Sequence, residues 1–548
     1  MLAAQAVGQV LAQLGVDHVF GLVGSGNFHV TNALVAAGAR FVPAAHEGGA
    51  ATMADAYARV SGKVGVLTVH QGPGVTNAVT GITEAAKSRT PLIVLAPEAT
   101  AVRSNFSIDL ARLASAAGAS FHRVRSESVT DDVVTAWNMA TRSPVGTVIL
   151  ALPLDVQALD IAYPTASALR LEPAVPPDTA VDVSALVAAL TSARRPVFIA
   201  GRGAARQPVG AARSALTRLA DRCGALLATS AAAKGLFAGE PWNLDVSGGF
   251  ASPLAASLIG DADLIVAWGC TLNMWTTRHG RLLSPKATVI QVDLDESALG
   301  ANRPVDVGVV GDIRLVADAA CAALDGQQPQ RWRTPALQAT IAASVRWRDV
   351  SYVDEGGPGT IDPRTFSIAL DDLLPAERVI AVDSGNFMGY PSMFLSIPDS
   401  AGFCFTQAFQ SVGLGLASAI GAALAQPGRL PVAALGDGGF LMSVAELTTV
   451  MRLGLPMVIA VYNDAAFGAE VHHFGPDGHP LDTVTFPDPD IAAIGRGFGC
   501  TAITVRSTSD LEGVRFWLNG PRDTPLVIDA KIRSSQGSWW LEEAFRGH

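Results

Sequence analysis

Short runs of β-branched and aliphatic residues alternate along this chain with longer Ala-rich stretches, and the two spacings together predict an α/β protein. In the first part, apolar runs at 18–22, 40–43, 64–69, 92–96 and 148–152 predict strands, with helices at 48–61 and 74–88. A second pattern opens at 196–203 and continues through 262–269 and 287–295. A third has strands at 379–383, 432–436 and 457–462. Pro-rich residues 169–182 read as a linker, and the second pattern fades at 326–331. The expectation is three doubly wound α/β domains with parallel sheets, at 1–168, 184–328 and 355–536, followed by a C-terminal tail, 537–548. Residues 401–426 carry no charge, but Thr406, Gln407, Gln410, Ser411 and several glycines interrupt them, which predicts a buried segment and not a membrane span.

Length agrees: 548 residues make three or four domains at roughly 150 residues each. Apolar residues make up 49% and charged residues only 16%, which excludes disorder and predicts large buried surfaces, subunit interfaces among them. A net charge of −10 without a basic stripe predicts no nucleic-acid partner. Cys223, Cys270, Cys321, Cys404 and Cys500 are scattered, so neither a disulfide framework nor a zinc site is indicated. No basic leader or membrane span is apparent, and the chain reads as soluble and cytoplasmic.

Parallel sheets carry their sites at the carboxyl ends of their strands. In the third pattern one strand ends at Gly436, Asp437, Gly438 and Gly439, a helix follows, and the next strand ends at Asn463 and Asp464. Glycines there let backbone N–H groups approach phosphate oxygens, and the following helix presents its positive end. A carboxylate among them suits Mg²⁺ or Ca²⁺, which take oxygen ligands and bridge phosphates. GDGG alone is equally a strand-to-helix turn, and the polar pair ending the next strand is what makes it a site.

GDG followed about 25 residues later by Asn resembles the motif with which thiamine-diphosphate enzymes hold Mg²⁺ and pyrophosphate. Counting back four residues from Gly468, the resemblance assigns Asp464 as the metal ligand beside Asp437, with Asn463 as second choice and the Ala466 carbonyl as third ligand. It departs from the family's usual Asn-Asn pair. In the first pattern, Glu47 follows a strand, and Pro73 to Asn77 follow at the family's distance. Taken alone, Glu47 is more readily a carboxylate answering a helix dipole. The resemblance, to the acetolactate synthase and benzoylformate decarboxylase superfamily, makes it the group that hydrogen-bonds the cofactor's pyrimidine ring. It further implies the turn Asp383, Ser384, Gly385 and Asn386 at the pyrophosphate, Val412 wedged between the cofactor's rings, and a homodimer or homotetramer whose sites lie between subunits. The three domains would be pyrimidine-binding, central Rossmann-like and pyrophosphate-binding.

The activity so implied is a thiamine-diphosphate- and Mg²⁺-dependent 2-keto-acid decarboxylase or carboligase, acetolactate synthase-like, working through a C2 ylide and an enamine. The alternative is a benzoylformate decarboxylase-like decarboxylase or 2-hydroxyacyl(-CoA) lyase without carboligation. His70 at a strand end, and His473 (with His472) where a synthase carries Trp, favour it, because imidazole relays protons near neutral pH. Glu98 and the Thr271–Trp275 stretch also depart from the synthase pattern, with Arg278 nearby. A silent paralogue is disfavoured by Glu47 and GDG. Gly201-Arg202-Gly203 resembles a dinucleotide loop without its third glycine, so FAD is possible but unsupported. Trp539, Trp540, Leu541 and Phe545 are expected to form a lid or packing segment.

Overall fold

Within each of three six-stranded sheets every strand pairing is parallel, in a computed structural model that describes residues 1–101, 103–162, 181–206, 210–326 and 332–544. The first sheet holds β1 (His18–Gly21), β2 (Arg40–Pro43), β3 (Gly65–Thr68), β4 (Leu92–Glu98), β5 (Ser120–Arg123) and β6 (Thr147–Pro153) in the order β2-β1-β3-β4-β6-β5. The second holds β7 (Pro196–Ala200), β8 (Leu226–Thr229), β9 (Asn243–Val246), β10 (Leu264–Trp268), β11 (Thr288–Asp293) and β12 (Val307–Val310), ordered β12-β11-β10-β7-β8-β9. The third holds β13 (Arg378–Val382), β14 (Phe403–Phe405), β15 (Leu430–Gly436), β16 (Val458–Asn463), β17 (Thr501–Val505) and β18 (Leu526–Lys531), ordered β14-β13-β15-β16-β18-β17. First and third sheets therefore repeat one topology. In each, the strand order reverses beside the first strand, the place where open parallel sheets bind ligands.

The expected strands are present within a few residues. The helix expected at 74–88 is two, Pro73–Asn77 and Val79–Lys87, interrupted at Ala78. The linker at 169–182 and the boundary at 326–331 lie almost wholly outside the described residues. The uncharged segment 401–426 supplies β14 and the buried helix Gly415–Ala425, and among the described residues no helix is long and apolar enough to cross a membrane.

That helix packs on helix Glu47–Ser61 of the first domain, and the two domains share one hydrophobic core. The approach depends on small residues: a Cβ added to Gly421 would lie 2.2 Å from the Met53 carbonyl oxygen and 3.0 Å from the Ala56 Cβ. Gly421→Val is therefore expected to destabilise the chain by roughly 1–3 kcal/mol in chemical denaturation. An unchanged midpoint would contradict this close packing.

Candidate active site

β15 and β16 are neighbours, with Gly436 in register with Tyr462, so Asp437 and Asp464 leave the sheet side by side. Asp437 starts the helix Asp437–Ser443, and its carboxylate is stabilised by backbone N–H groups of its own turn and of the Ala465–Ala466 turn. Burial pushes Asp437 up to about 6. Burial, and then the charge of Asp437, pushes Asp464 up to about 7. Two neighbouring buried acids, one of them raised by the other's charge, form an oxygen-rich set that fits a hard divalent cation. The glycines fit a phosphate cradle, since side chains there would collide. A Cβ on Gly439 would lie 2.1 Å from an Asp383 carboxylate oxygen, and one on Gly438 would lie 2.9 Å from the Phe467 ring. Across the strand-order reversal, Ser384, Gly385 and Asn386 follow β13, with Gly385 at φ +142°.

Asn463 is a correction. Its side chain turns away from the acid pair: Nδ2 donates to Asp529 at 2.9 Å, and Oδ1 accepts from the Ala465 N–H at 3.1 Å. Successive residues of a strand face opposite ways. Asn463 therefore supports the turn from behind, and Asp464 is left facing Asp437.

Glu47 opens the helix Glu47–Ser61, and Asn77 Nδ2 donates to its Oε2 at 3.1 Å. A Cβ on Gly74 would lie 3.2 Å from the His70 Cβ and 3.5 Å from the Glu47 Oε1, so the two side chains flank one glycine. His70 Nδ1 accepts a long 3.4 Å bond from the Gly26 N–H, and its ring meets Phe106 edge-on at 5.3 Å. Pro73 is the first residue of the following helix. Among the described residues, no hydrogen bond joins Glu47 or His70 to Asp437 or Asp464 of the same chain. Val412 is exposed, next to Gly413 in the loop before helix Gly415–Ala425.

His472 and His473 lie on helix Gly468–Phe474, on the Asp464 side. Burial lowers the His472 pKa, and the tail runs close by, since a Cβ on Gly537 would meet the His472 Cβ at 3.2 Å. The His473 ring packs edge-on against Phe474. Glu98 forms two 2.7 Å bonds with Arg123. Arg278 lies over the Trp539 ring at 4.2 Å, while buried Trp540 donates from Nε1 to the Asn386 carbonyl at 3.0 Å. The described tail is thus packing that seats Asn386, and Phe545 lies outside the described residues. In the central domain, Cβ atoms on Gly201 and Gly203 would strike the Gly269–Cys270 backbone, and Arg202 donates to the Ser88 carbonyl. Those two glycines serve a backbone contact.

Sequence reasoning placed Asp383 in the strand-end turn but not its hold on the 413–414 loop, and it missed Glu446. Asp383 is fully buried, accepts from the N–H groups of Ser384, Gly413 and Leu414, and is pushed up to about 6 by burial. Glu446 accepts from the N–H groups of Ala45 (3.1 Å) and His46 (3.1 Å), just before Glu47. A Cβ on Gly49 would lie 2.2 Å from it. The available signal was a carboxylate within an otherwise apolar or small-residue run, since a buried charge needs partners.

Comparison with known proteins agrees with this geometry. Residues 1–112 match the family described as thiamine pyrophosphate enzyme, N-terminal TPP binding domain. Residues 183–320 match the central domain of such enzymes, and 383–530 their C-terminal TPP binding domain. Probable 2-ketoarginine decarboxylase AruI of Pseudomonas aeruginosa is 30% identical, over 93% of this chain and 90% of its own length. Sulfoacetaldehyde acetyltransferase of Rhodobacter capsulatus is 29% identical, over 86% and 83%. The acetolactate synthase large subunit of Parasynechococcus marenigrum is 26% identical, over 98% and 88%.

The acid pair gives an expectation with opposite signs for stability and binding. Asp464→Asn removes a repelling charge, so it should raise the melting temperature of metal-free protein while weakening Mg²⁺ binding at least roughly tenfold. Calorimetry reads both, and unchanged Mg²⁺ affinity would remove Asp464 from the metal site.

Proposed function

Because the chain is a thiamine-diphosphate-dependent enzyme of the acetolactate synthase and benzoylformate decarboxylase superfamily, we propose that it cleaves the carbon–carbon bond beside the keto group of a 2-keto acid. The retained fragment passes to a second carbonyl or to a proton. The observation that carries this reading is the pairing of Glu47 with His70 about Gly74, opposite in kind to the metal-binding acids Asp437 and Asp464. Residues 1–168 form the pyrimidine-binding domain, 184–328 the central domain, 355–536 the pyrophosphate-binding domain and 537–548 the tail.

Asp437, Asp464 and the Ala466 carbonyl hold Mg²⁺. Gly436, Gly438, Gly439, Ser384, Gly385 and Asn386 line the diphosphate. Glu47, steadied by Asn77, would hold a proton at the pyrimidine N1′, and Val412 would offer an apolar contact to the cofactor. The bound thiazolium supplies the electron sink for breaking the carbon–carbon bond. His70 moves the proton that reaches the retained carbon, and His472 and His473 border the substrate from the tail side.

Release without ligation is a second reading, favoured by His70 beside Glu47, and one relative's name is that of a decarboxylase. The site takes its two halves from two copies of the chain. Beside His70, Phe106 is exposed, and beside the GDG turn, Val412, Leu441 and Met442 are exposed, leaving apolar surface at both halves.

Glu47→Gln is expected to cut turnover roughly 100-fold or more while thiamine diphosphate still binds with Mg²⁺. Unchanged turnover would overturn the assignment. Product analysis over a panel of 2-keto acids, alone and with an aldehyde acceptor, separates hydroxyketone from free aldehyde. Absence of carbon dioxide release from every member would contradict the 2-keto-acid reading.

A further inference from the structure

Two buried carboxylates from different domains grip the loop that carries Val412. Beyond it, Asp383 accepts from the backbone N–H groups of Gly413, at 3.0 and 3.1 Å to its two oxygens, and of Leu414 at 3.1 Å. Before it, Glu84 of the first domain accepts from the N–H groups of Ala408 at 3.0 Å and Phe409 at 2.5 Å. Only Gln410, Ser411 and Val412 lie between the grips. Gln410 has φ +60°, a left-handed conformation that a residue with a side chain holds only under constraint.

Glu84 is itself fixed. Arg59 donates from Nη2 to its Oε1 at 2.7 Å, from Nε to Asp55 at 2.9 Å and from Nη1 to the Phe405 carbonyl at 3.0 Å. All three charged side chains are buried. From the central domain, Arg202 and Arg206 donate to the Ser88 carbonyl at 2.7 and 2.9 Å, so the group sits where three domains meet. A buried ion cluster is a weak source of stability, because apolar side chains of the same shape often do as well. What apolar side chains cannot do is accept two successive loop N–H groups.

We propose that Glu84, held by Arg59, is a positioning residue for the 408–413 loop and, through it, for Val412 against the cofactor. The second half rests on the place given to Val412 above. Nothing puts Glu84 in contact with cofactor or substrate.

Glu84→Gln keeps the length of the side chain and removes its charge. Glu84→Asp keeps the charge facing Arg59 and shortens the reach, so it serves if the Gln variant does not fold. In cofactor-free protein, the Ala408 and Phe409 amides should exchange hydrogen at least roughly tenfold faster in either variant, with exchange in β15 unchanged. In the loaded protein, exchange of the C2 proton of bound thiamine diphosphate should slow by roughly 10–100-fold. That loss should vanish in a Val412→Ala background, because a residue acting through Val412 has nothing left to position. Wild-type amide exchange at 408–409 in a folded variant would overturn the grip. A C2-exchange loss that multiplies with that of Val412→Ala would overturn the route through Val412. If Val412→Ala alone leaves C2 exchange unchanged, the cofactor role of Val412 fails, and with it the second half of the proposal. The loop amides still decide the first half.

Discussion

A Cβ on Gly421 would sit 2.2 Å from the Met53 carbonyl oxygen, and this absence of side chain lets helices Glu47–Ser61 and Gly415–Ala425 pack almost backbone to backbone. The alanines and glycines of both helices join the cores of the first and third domains into one. The same contact decides where Glu47 points. Glu446 of the third domain takes the N–H groups of Ala45 and His46, and Gly49 leaves room for its carboxylate. The start of the Glu47 helix is therefore committed to the far end of the helical run that begins at Asp437, with no bond to Asp437 itself. Glu47 meets Asn77 and Gly74, while Asp437 lies beside Asp464 and the Ala465–Ala466 turn.

Around that frame the third domain concentrates buried negative charge at the strand ends. Asp383, Asp437 and Asp464 are all pushed upward by burial, and each is partly offset by backbone N–H groups. The charges have different work. Asp383 spends its lone pairs on the Gly413 and Leu414 N–H groups and so shapes a loop. Asp437 and Asp464 leave neighbouring strand ends together, two carboxylates whose oxygens suit a hard divalent cation. Behind them, Lys531 bridges Asp488 and Asp529, and Asp529 holds Asn463, giving the turn a rigid back. A metal site needs such outer support as much as its ligands.

The fold was legible where an apolar run was unbroken, as in β4, β10 and β15. It was not where charge entered a buried strand: β18 is buried throughout, yet Asp529 and Lys531 interrupt the run that would have marked it. Edge strands such as β5 and β17, partly exposed, give little apolar signal at all. Asp437, Glu47 and the turn at Asn386 stand out as candidates because glycine or a strand end marks each. Spacing from Gly468 favours Asp464 over Asn463, but the hold of Asp529 on the Asn463 side chain is not encoded in that spacing. Glu84, Asp383 and Glu446 act on backbone groups far away in sequence, a relation that no local spacing encodes.

The central proposal is that Glu47 and the Asp437–Asp464 pair of one chain serve different active sites, each completed by a second copy. Mixing and reassembling Glu47→Gln chains with Asp437→Asn chains, each inactive alone, measures this directly. Hybrid dimers would hold one site with intact Glu47 from one chain and intact Asp437 from the other. The account predicts recovery of about a quarter of wild-type turnover, since about half of reassembled dimers are hybrids with one good site. No recovery in mixtures shown to contain hybrid dimers would mean that each site lies within a single chain, and would contradict it.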